Sequence, residues 1–176
     1  MVEMKVFGLA GWSGSGKTTL LVRLLPELIA RGLRVSTVKH AHHQFDIDQP
    51  GKDSFVHRDA GATEVMISSD DRWALMHENR GDAEPDLASL TSHMSEVDLI
   101  LVEGFRSYPH SKLEVHRAAL EKPLICKNDP HVVAIASDVP LSDLTIPVID
   151  IEDEKAIADF VLSHCQITAP TVTGAA

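Results

Sequence analysis

A glycine-rich stretch between an apolar run and a leucine-rich stretch carries the clearest chemical signal in this sequence. It matches the pattern G-x-x-x-x-G-K-[ST], in which backbone N–H groups wrap a phosphate chain. Glycines let the backbone approach an anion closely, and the N-terminus of the helix that follows adds partial positive charge. We therefore predict a nucleotide-phosphate site that comprises Gly11, Ser13, Gly14, Ser15, Gly16, Lys17, Thr18 and Thr19.

Two residues at the end of this pattern predict which groups the loop binds. The ammonium of Lys17 supplies a full charge for the β- and γ-phosphates, and the hydroxyl of Thr18 is a ligand for the accompanying Mg²⁺. We also assign Lys17 a catalytic role, because it would stabilise charge that develops on the phosphates. A Rossmann dinucleotide loop has no need of a Lys-Thr pair and is the weaker interpretation.

The second chemical signal is an acidic residue, Glu103, at the end of the apolar run DLILVE, residues 98–103. This run is typical of a buried central strand in a parallel sheet. A carboxylate at the carboxyl end of such a strand, beside a phosphate loop, can hold Mg²⁺ directly or through water. We predict that Glu103 is a metal ligand and a catalytic residue, and that Gly104 lets the backbone approach the γ-phosphate. An ordinary charge at a strand end is the alternative for Glu103.

The segment 40–61, HAHHQFDIDQPGKDSFVHRDAG, is unusually rich in ionisable side chains. It directly follows a predicted strand, at the edge where open α/β sheets bind ligands. We therefore expect it to reach over the nucleotide and a second substrate, whereas a solvated surface loop is the alternative. The residues that we single out are His40, His42, His43, Asp46, Asp48, Lys52, Asp53, His57 and Arg58.

The elements that position these residues alternate between strands and helices, as in an α/β protein with a mostly parallel sheet. Residues 63–69 and 72–78 flank Asp70-Asp71 and predict an inserted antiparallel hairpin, whose exposed edge would be a natural dimer surface. The predicted strands are 4–10, 33–39, 98–103, 112–117, 123–127, 131–137 and 146–149. The predicted helices are 16–31, 87–94, 153–164 and a short one that is capped by Asp53 or Ser54 and ends near Gly61.

Length and charge exclude several classes of function. The 176 residues predict one domain over 1–165, with the hairpin inserted at about 63–78 and a flexible tail over 166–176. A net charge of −10 disfavours general binding to nucleic acid or to an anionic membrane. We expect no export signal and no membrane helix. Two cysteines without metal-like spacing fit a reducing cytoplasm.

Taken together, these motifs resemble the MobB family, the P-loop GTP-binding adaptors of molybdopterin-guanine dinucleotide biosynthesis. The resemblance rests on GLAGWSGSGKTTL, VKHAHHQFDIDQPGKDSF followed by RDAGA, LILVEGFR and VVAIASD, and it runs from Lys5 to about Leu162. It implies a P-loop NTPase three-layer sandwich and a homodimer that shares sheet edges. It also implies weak GTP hydrolysis with Mg²⁺, in support of the MobA guanylyltransferase that joins GMP to molybdopterin.

The resemblance gives roles to the remaining candidate residues. It implies that Asp46 and Asp53 of the charged segment assist the metal, and that the histidines, Asp48, Lys52 and Arg58 face the pterin. The guanine-reading motif N-K-x-D is absent from the sequence, so guanine preference comes from the family alone. The candidate base-side residues are Asn128, Asp129 and Asp138.

Two other functions remain open at this point. A small-molecule kinase could use the same loop, but it needs an arginine-bearing lid, and the sequence has no arginine-dense segment. A metal-delivery GTPase is the other, and His40, His42 and His43 are its only support, since they could ligate molybdate or a transition metal. Neutral loop histidines are the favoured interpretation.

Overall fold

The structure, a computed structural model, describes residues 4–41 and 45–168. His42, His43 and most of the predicted tail lie outside these residues. The chain divides into two compact units, one formed by 1–40 and 95–176 and the other by 41–94. The second unit contains the predicted hairpin, and the single domain over 1–165 stays a prediction. Among the described residues, no helix has both the length and the apolar character needed to cross a membrane.

The first unit is built on a six-stranded sheet whose strands all run parallel. Its elements are β1 (Lys5–Ala10), α1 (Lys17–Ala30), β2 (Val35–Lys39), β5 (Leu99–Glu103), β6 (Lys112–His116), β7 (Val132–Ser137), β8 (Val148–Asp150) and α4 (Glu154–Cys165). The strand order is β2-β5-β1-β6-β7-β8, which makes β1 and β5 central neighbours. The prediction of a mostly parallel α/β sheet is therefore confirmed.

One face of this sheet carries the main hydrophobic core. Alternate residues of β1, Phe7 and Leu9, are fully buried there. Leu24 and Leu28 stand one turn apart on α1 and pack into the same cluster, and Val161 of α4 joins them. This arrangement follows from the helical spacing of the leucines, and it anchors α1 directly behind the glycine-rich loop.

The opposite face is covered near β6 by irregular chain instead of a strand. The prediction of a strand over 123–127 is wrong, because Ile125–Lys127 forms a short 3₁₀ turn. The buried carboxylate of Glu114 explains the difference. It accepts hydrogen bonds from the backbone N–H groups of Ile125 at 2.8 Å and Cys126 at 2.9 Å, so these donors are not available for a β-ladder.

A buried lysine organises the same face. The ammonium of Lys112 donates to the carbonyls of Arg106 at 2.9 Å and Tyr108 at 2.8 Å, and it lies 3.0 Å from the carboxylate of Asp129. Burial opposes the ionisation of Asp129, but hydrogen bonds from Lys112 and His131 outweigh it and lower the pKa of Asp129. This ammonium therefore joins the segment after β5 to the segment before β7.

The second unit contains α2 (Asp53–Asp59), the antiparallel strands β3 (Glu64–Ser68) and β4 (Trp73–His77), and α3 (Leu87–Ser92). The strands pair in the register Glu64↔His77 to Ser68↔Trp73 and form a sheet of their own. The predicted hairpin is thus confirmed. Asp86 caps α3 by accepting a hydrogen bond from the backbone N–H of Ser89.

His110 makes the stability of the first unit dependent on pH. Its Nδ1 bonds the carbonyl of Tyr108 at 3.1 Å, and its Nε2 is buried without a hydrogen-bond partner among the described residues. Burial, and then the charge of Lys112, lowers the pKa of His110 to about 4. In the unfolded chain the pKa is about 6.5. Because the pKa is lower in the folded state, the unfolded chain takes up a proton at His110 first as the pH falls. The folded state therefore has its full stability above pH 6.5 and loses part of it as the pH falls toward 4.

We therefore expect His110→Gln to flatten the acid limb of the stability profile. The free energy of unfolding, measured by urea denaturation at pH 7 and pH 4.5, should fall more in the wild-type protein than in the variant. The expected difference is roughly 1–3 kcal/mol, the lower end allowing for screening by solvent. Equal losses in the two proteins would contradict this prediction.

Candidate functional site: the glycine-rich loop and Glu103

The loop between β1 and α1 has the backbone geometry that its glycines predict. Gly14 and Gly16 have φ values of 80° and 95°, in the left-handed region that favours glycine. Gly11 is restricted by space, because a Cβ there would lie 2.5 Å from the hydroxyl of Ser15 and 2.7 Å from the carbonyl of Val115. The loop therefore curls tightly over the end of β6 before α1 begins at Lys17.

The ammonium of Lys17 closes this curl. It donates to the carbonyls of Gly11 and Trp12, both at 2.9 Å, which uses two of its three hydrogens. Partial burial lowers the pKa of Lys17, the charge of Glu103 acts in the opposite direction, and Lys39 adds to the lowering. The loop thus holds a cation on its own carbonyls, close to the N-terminus of α1.

Glu103, the last residue of β5, lies beside this cation, as the sequence predicts for a carboxylate at the carboxyl end of a central strand. The hydroxyl of Thr18 donates to Glu103 Oε1 at 2.8 Å. A hydroxyl and a carboxylate are hard oxygen ligands of the kind that Mg²⁺ prefers, so this pair fits a magnesium ion. The geometry brings Lys17, Thr18 and Glu103 together in one place.

Sequence reasoning missed Lys39, which ends β2. Its ammonium lies 3.8 Å from the same Glu103 oxygen. The register of the sheet explains this contact, because β2 pairs with β5 and sets Lys39 opposite Glu103. The sequence does place a lysine at the end of the second predicted strand. Its contact with Glu103 could be inferred only from the pairing of β2 with β5, which the sequence does not reveal.

Gly104 is required by its close packing on His40. Its φ is 98°, and a Cβ there would lie 2.7 Å from the Cβ of His40. The backbone N–H of His40 donates to the carbonyl of Glu103 at 2.8 Å, and its ring lies 4.7 Å from that of Phe105. His40 is thus packed on the chain that follows β5. An approach of Gly104 to the γ-phosphate stays a prediction.

The three base-side candidates have different surroundings. Asp138 follows β7 and accepts a hydrogen bond from the backbone N–H of Ala118 at 2.9 Å, with Arg117 at 3.8 Å. The guanidinium of Arg117 in turn lies near Gly16, 3.9 Å from where a Cβ would stand. Asp138 is therefore linked through Arg117 to the phosphate loop. Asp129 is instead paired with Lys112 on the sheet face, and Asn128 is exposed beside it.

In the second unit the charged residues pair with one another. The guanidinium of Arg58 donates to Asp48 at 2.8 Å and to Asp46 at 2.9 Å, and the side chain of Asp48 is only 2% exposed. Asp53 and Lys52 are exposed at the start of α2. Within 4–41 and 45–168, no three His, Cys, Asp or Glu side chains are grouped to hold a metal. The proposed metal and pterin roles of this segment remain predictions.

The strand order and the loop that wraps Lys17 define a protein of the P-loop class. The profile of the family "Molybdopterin guanine dinucleotide synthesis protein B", MobB, matches residues 6–138. The chain is 47% identical over 169 residues to the molybdopterin-guanine dinucleotide biosynthesis adapter protein of Escherichia coli, covering 94% of this chain and 95% of that one. It is 42% identical to the adapter protein of Haemophilus influenzae, with 90% and 88% covered. The chain belongs to the MobB family.

Solved structures agree with this assignment. A crystal structure of molybdopterin-guanine biosynthesis protein B superposes with a TM-score of 0.72 at 27% identity, covering 90% of this chain and 99% of that one. The crystal structure of Bacillus subtilis MobB superposes with a TM-score of 0.70 at 25% identity, covering 92% and 98%. The resemblance and the fold class inferred from the motifs are thereby confirmed.

The close packing of Gly104 on His40 can be tested with a matched pair of glycine variants. Gly81 has the same φ of 98°, but open space surrounds the position of its Cβ. We expect Gly81→Ala to cost about 1–2 kcal/mol of folding stability for the left-handed backbone alone. Gly104→Ala should cost about 1–3 kcal/mol more, because the new Cβ meets His40. Urea denaturation measures both, and equal losses would show that the contact with His40 is not tight.

Proposed function

We propose that this protein binds GTP with Mg²⁺ on the loop 11–18 and acts as an adapter in molybdopterin-guanine dinucleotide biosynthesis. The observation that carries the proposal is the convergence of Lys17, Thr18 and Glu103 at the end of β1 and β5. The names of the E. coli and H. influenzae relatives support the biosynthetic role. We further propose that the protein assists a MobA guanylyltransferase, which joins GMP to molybdopterin.

Each residue of the site has a defined part in this proposal. The backbone N–H groups of the loop and the ammonium of Lys17 bind the β- and γ-phosphates and stabilise negative charge there. Thr18 and Glu103 would hold Mg²⁺, which supplies further charge neutralisation when it is bound. Lys39 balances the charge of Glu103 from the neighbouring strand. We assign no residue the role of general base, and therefore expect slow hydrolysis.

Preference for guanine is assigned to the end of β7. A carboxylate accepts hydrogen bonds and is suited to the donor groups N1–H and N2–H₂ of guanine, whereas adenine has no donor at N1. Asp138 is the candidate best supported, because the network through Arg117 ties it to the phosphate loop. Asp129 is less suited, since Lys112 and His131 already occupy its oxygens.

Replacing Lys17 with alanine should weaken GTP binding about tenfold to a hundredfold, because charge-assisted contacts to the phosphates are removed. Isothermal titration calorimetry with GTP and Mg²⁺ measures the affinity. Lys155→Ala, which removes an exposed lysine of α4, is the matched control and should bind as the wild-type protein does.

The same titration with ATP tests the choice of nucleotide. We expect GTP to bind more tightly than ATP. Tighter binding of ATP, or phosphate transfer from ATP to a pterin, would replace the adapter assignment with a small-molecule kinase. Unchanged GTP affinity in Lys17→Ala would show that the loop is not the nucleotide site.

We also propose that the hairpin forms a homodimer contact. One face of β3 and β4 exposes Met66 and Trp73, each 62% accessible, together with Leu75 at 40%. The register sets Met66 opposite Leu75, so these side chains form one apolar patch. Neighbouring apolar residues on an exposed two-stranded sheet are typical of an association surface.

A charge placed in this patch should dissociate the dimer. We expect analytical ultracentrifugation at tens of micromolar to find a dimer for the wild-type protein and a monomer for Met66→Glu. Val22→Glu is the control, since Val22 is 60% exposed on α1 in the other unit. A dimer that survives Met66→Glu would place the interface elsewhere, and a monomeric wild-type protein would remove the dimer proposal altogether.

A further inference from the structure

A surface cavity that is open to solvent lies in the first unit, on the opposite face of the sheet from the main core. Its volume is about 480 Å³, and it is lined by Arg106, Ser107, Ile125, Asn128 and Asp129. Pockets for small organic ligands usually measure about 300–1,000 Å³. None of these residues belongs to the loop 11–18 or to the charged segment 40–61. The cavity therefore adjoins the phosphate loop without sharing lining residues with it, because Arg106 packs on Trp12 of that loop.

Arg106 is a cation whose partner is an aromatic ring. Its guanidinium lies 4.8 Å from the centre of the Trp12 ring. Within the part of the chain that the structure describes, no carboxylate forms an ion pair with Arg106. In a chain of net charge −10, an arginine that lines an open cavity and has no such carboxylate partner is available for an anionic ligand.

Trp12 is a fixed platform for this arginine. Its indole N–H donates to the carbonyl of Pro123 at 2.9 Å, and its ring packs against the cluster of Ala10 and Ile125. The ammonium of Lys122 lies 5.9 Å from the centre of the same ring. Two cations thus converge on one indole, which stabilises both through its π-face.

The other lining residues leave the cavity positive and polar. The carboxylate of Asp129 is neutralised by Lys112 at 3.0 Å, so it does not cancel the charge of Arg106. Ser107 and Asn128 add a hydroxyl and an amide, which can donate to phosphate oxygens or pair with the edge of a polar ring. Ile125 supplies an apolar wall. This combination suits a small organic phosphate that carries a flat polar ring.

The cavity is also coupled to the phosphate loop through one residue. The carbonyl of Trp12 accepts a hydrogen bond from the ammonium of Lys17, while its ring carries Arg106. A ligand at Arg106 and phosphates at Lys17 would thus each contact a cation that Trp12 holds, one on its ring and the other on its carbonyl. This link gives a physical route by which occupancy of one site can influence the other.

We propose that this cavity is a second binding site, beside the loop 11–18 and distinct from it, for a small organic phosphate, with Arg106 as the main phosphate contact. Asn128 and Asp129 then line this second site and do not bind the nucleotide base. The inference rests on the proposed function only for the choice of ligand ring, since that function supplies a phosphorylated pterin. The proposed binding site of the second substrate is then on the face of β6, and not at the charged segment 40–61 as the sequence predicted.

The test compares two pterins that differ only in a phosphate group. Neopterin monophosphate and neopterin are titrated calorimetrically into the full-length protein, after the loop 11–18 has been saturated with Mg²⁺ and the non-hydrolysable GTP analogue GMPPNP. We expect saturable binding of about one equivalent of the monophosphate, and at least about tenfold weaker binding of neopterin. Arg106→Ala should lower the affinity for the monophosphate about tenfold or more, because it removes a charge-assisted contact.

Two further variants keep this test specific. Arg106→Lys retains the charge but not the planar fork, and should give an intermediate affinity. Arg72→Ala removes an exposed arginine in the second unit and should change nothing. Arg106 is itself exposed, and the thermal unfolding midpoint of each variant shows whether the fold is retained.

The outcomes separate this inference from the proposed function. Equal affinities for neopterin and its monophosphate, unchanged binding in Arg106→Ala, or no binding of the monophosphate would overturn the inference, whether or not GMPPNP binds. If the wild-type protein fails to bind GMPPNP but binds the monophosphate in an Arg106-dependent manner, the proposed function is wrong and the second site stands.

Discussion

The hydrogen bond between Thr18 and Glu103 is the contact on which the rest of the site depends. It joins the first turn of α1 to the end of β5, and so it requires β5 to lie next to β1 in the sheet. It also places a largely buried carboxylate beside a phosphate loop, in a chain that is already acidic. Lys17 and Lys39 lower the free-energy cost of burying this carboxylate, because their positive charges lie close enough to offset the charge of Glu103. The local field at the loop is thus set by a few neighbouring charges, and the net charge of −10 does not decide what binds there.

The local parts of this site were predictable from the sequence, whereas the pairings between distant segments were not. The strand, loop and helix around Lys17 lie next to one another in the chain, so spacing alone predicts them. Glu103 was predictable because an apolar run of that kind belongs in the middle of a parallel sheet. Lys39 could not be assigned, because its contact with Glu103 depends on which strand β5 pairs with. The strand expected over 123–127 failed for a similar reason, since a buried glutamate on β6 takes the hydrogen bonds that a strand would need.

The charged segment shows how composition can be read in two ways. Its density of acids and bases favoured ligand binding, yet Arg58, Asp46 and Asp48 bind one another. Opposite charges close together in a short segment can satisfy themselves, and the sequence alone does not distinguish this from a shared ligand. The buried carboxylate of Asp48 requires such a partner, because an unpaired charge there would be costly. Arg58 therefore has a structural role within the second unit that stands without any ligand.

The two buried charges of β6 explain why the chain carries a cavity where a helix could have packed. Lys112 and Glu114 alternate along one strand and face the same side of the sheet, so an apolar helix laid over them would leave both unsatisfied. Irregular chain satisfies both charges, because its carbonyls accept hydrogen bonds from the ammonium of Lys112 and its N–H groups donate to the carboxylate of Glu114. The same contacts hold the backbone of Arg106 and of Ile125 in place, and both residues line the cavity. The buried ammonium of Lys112 donates to the carbonyl of Arg106 and so fixes the backbone of this exposed arginine. The guanidinium of Arg106 is therefore preorganised before any ligand binds.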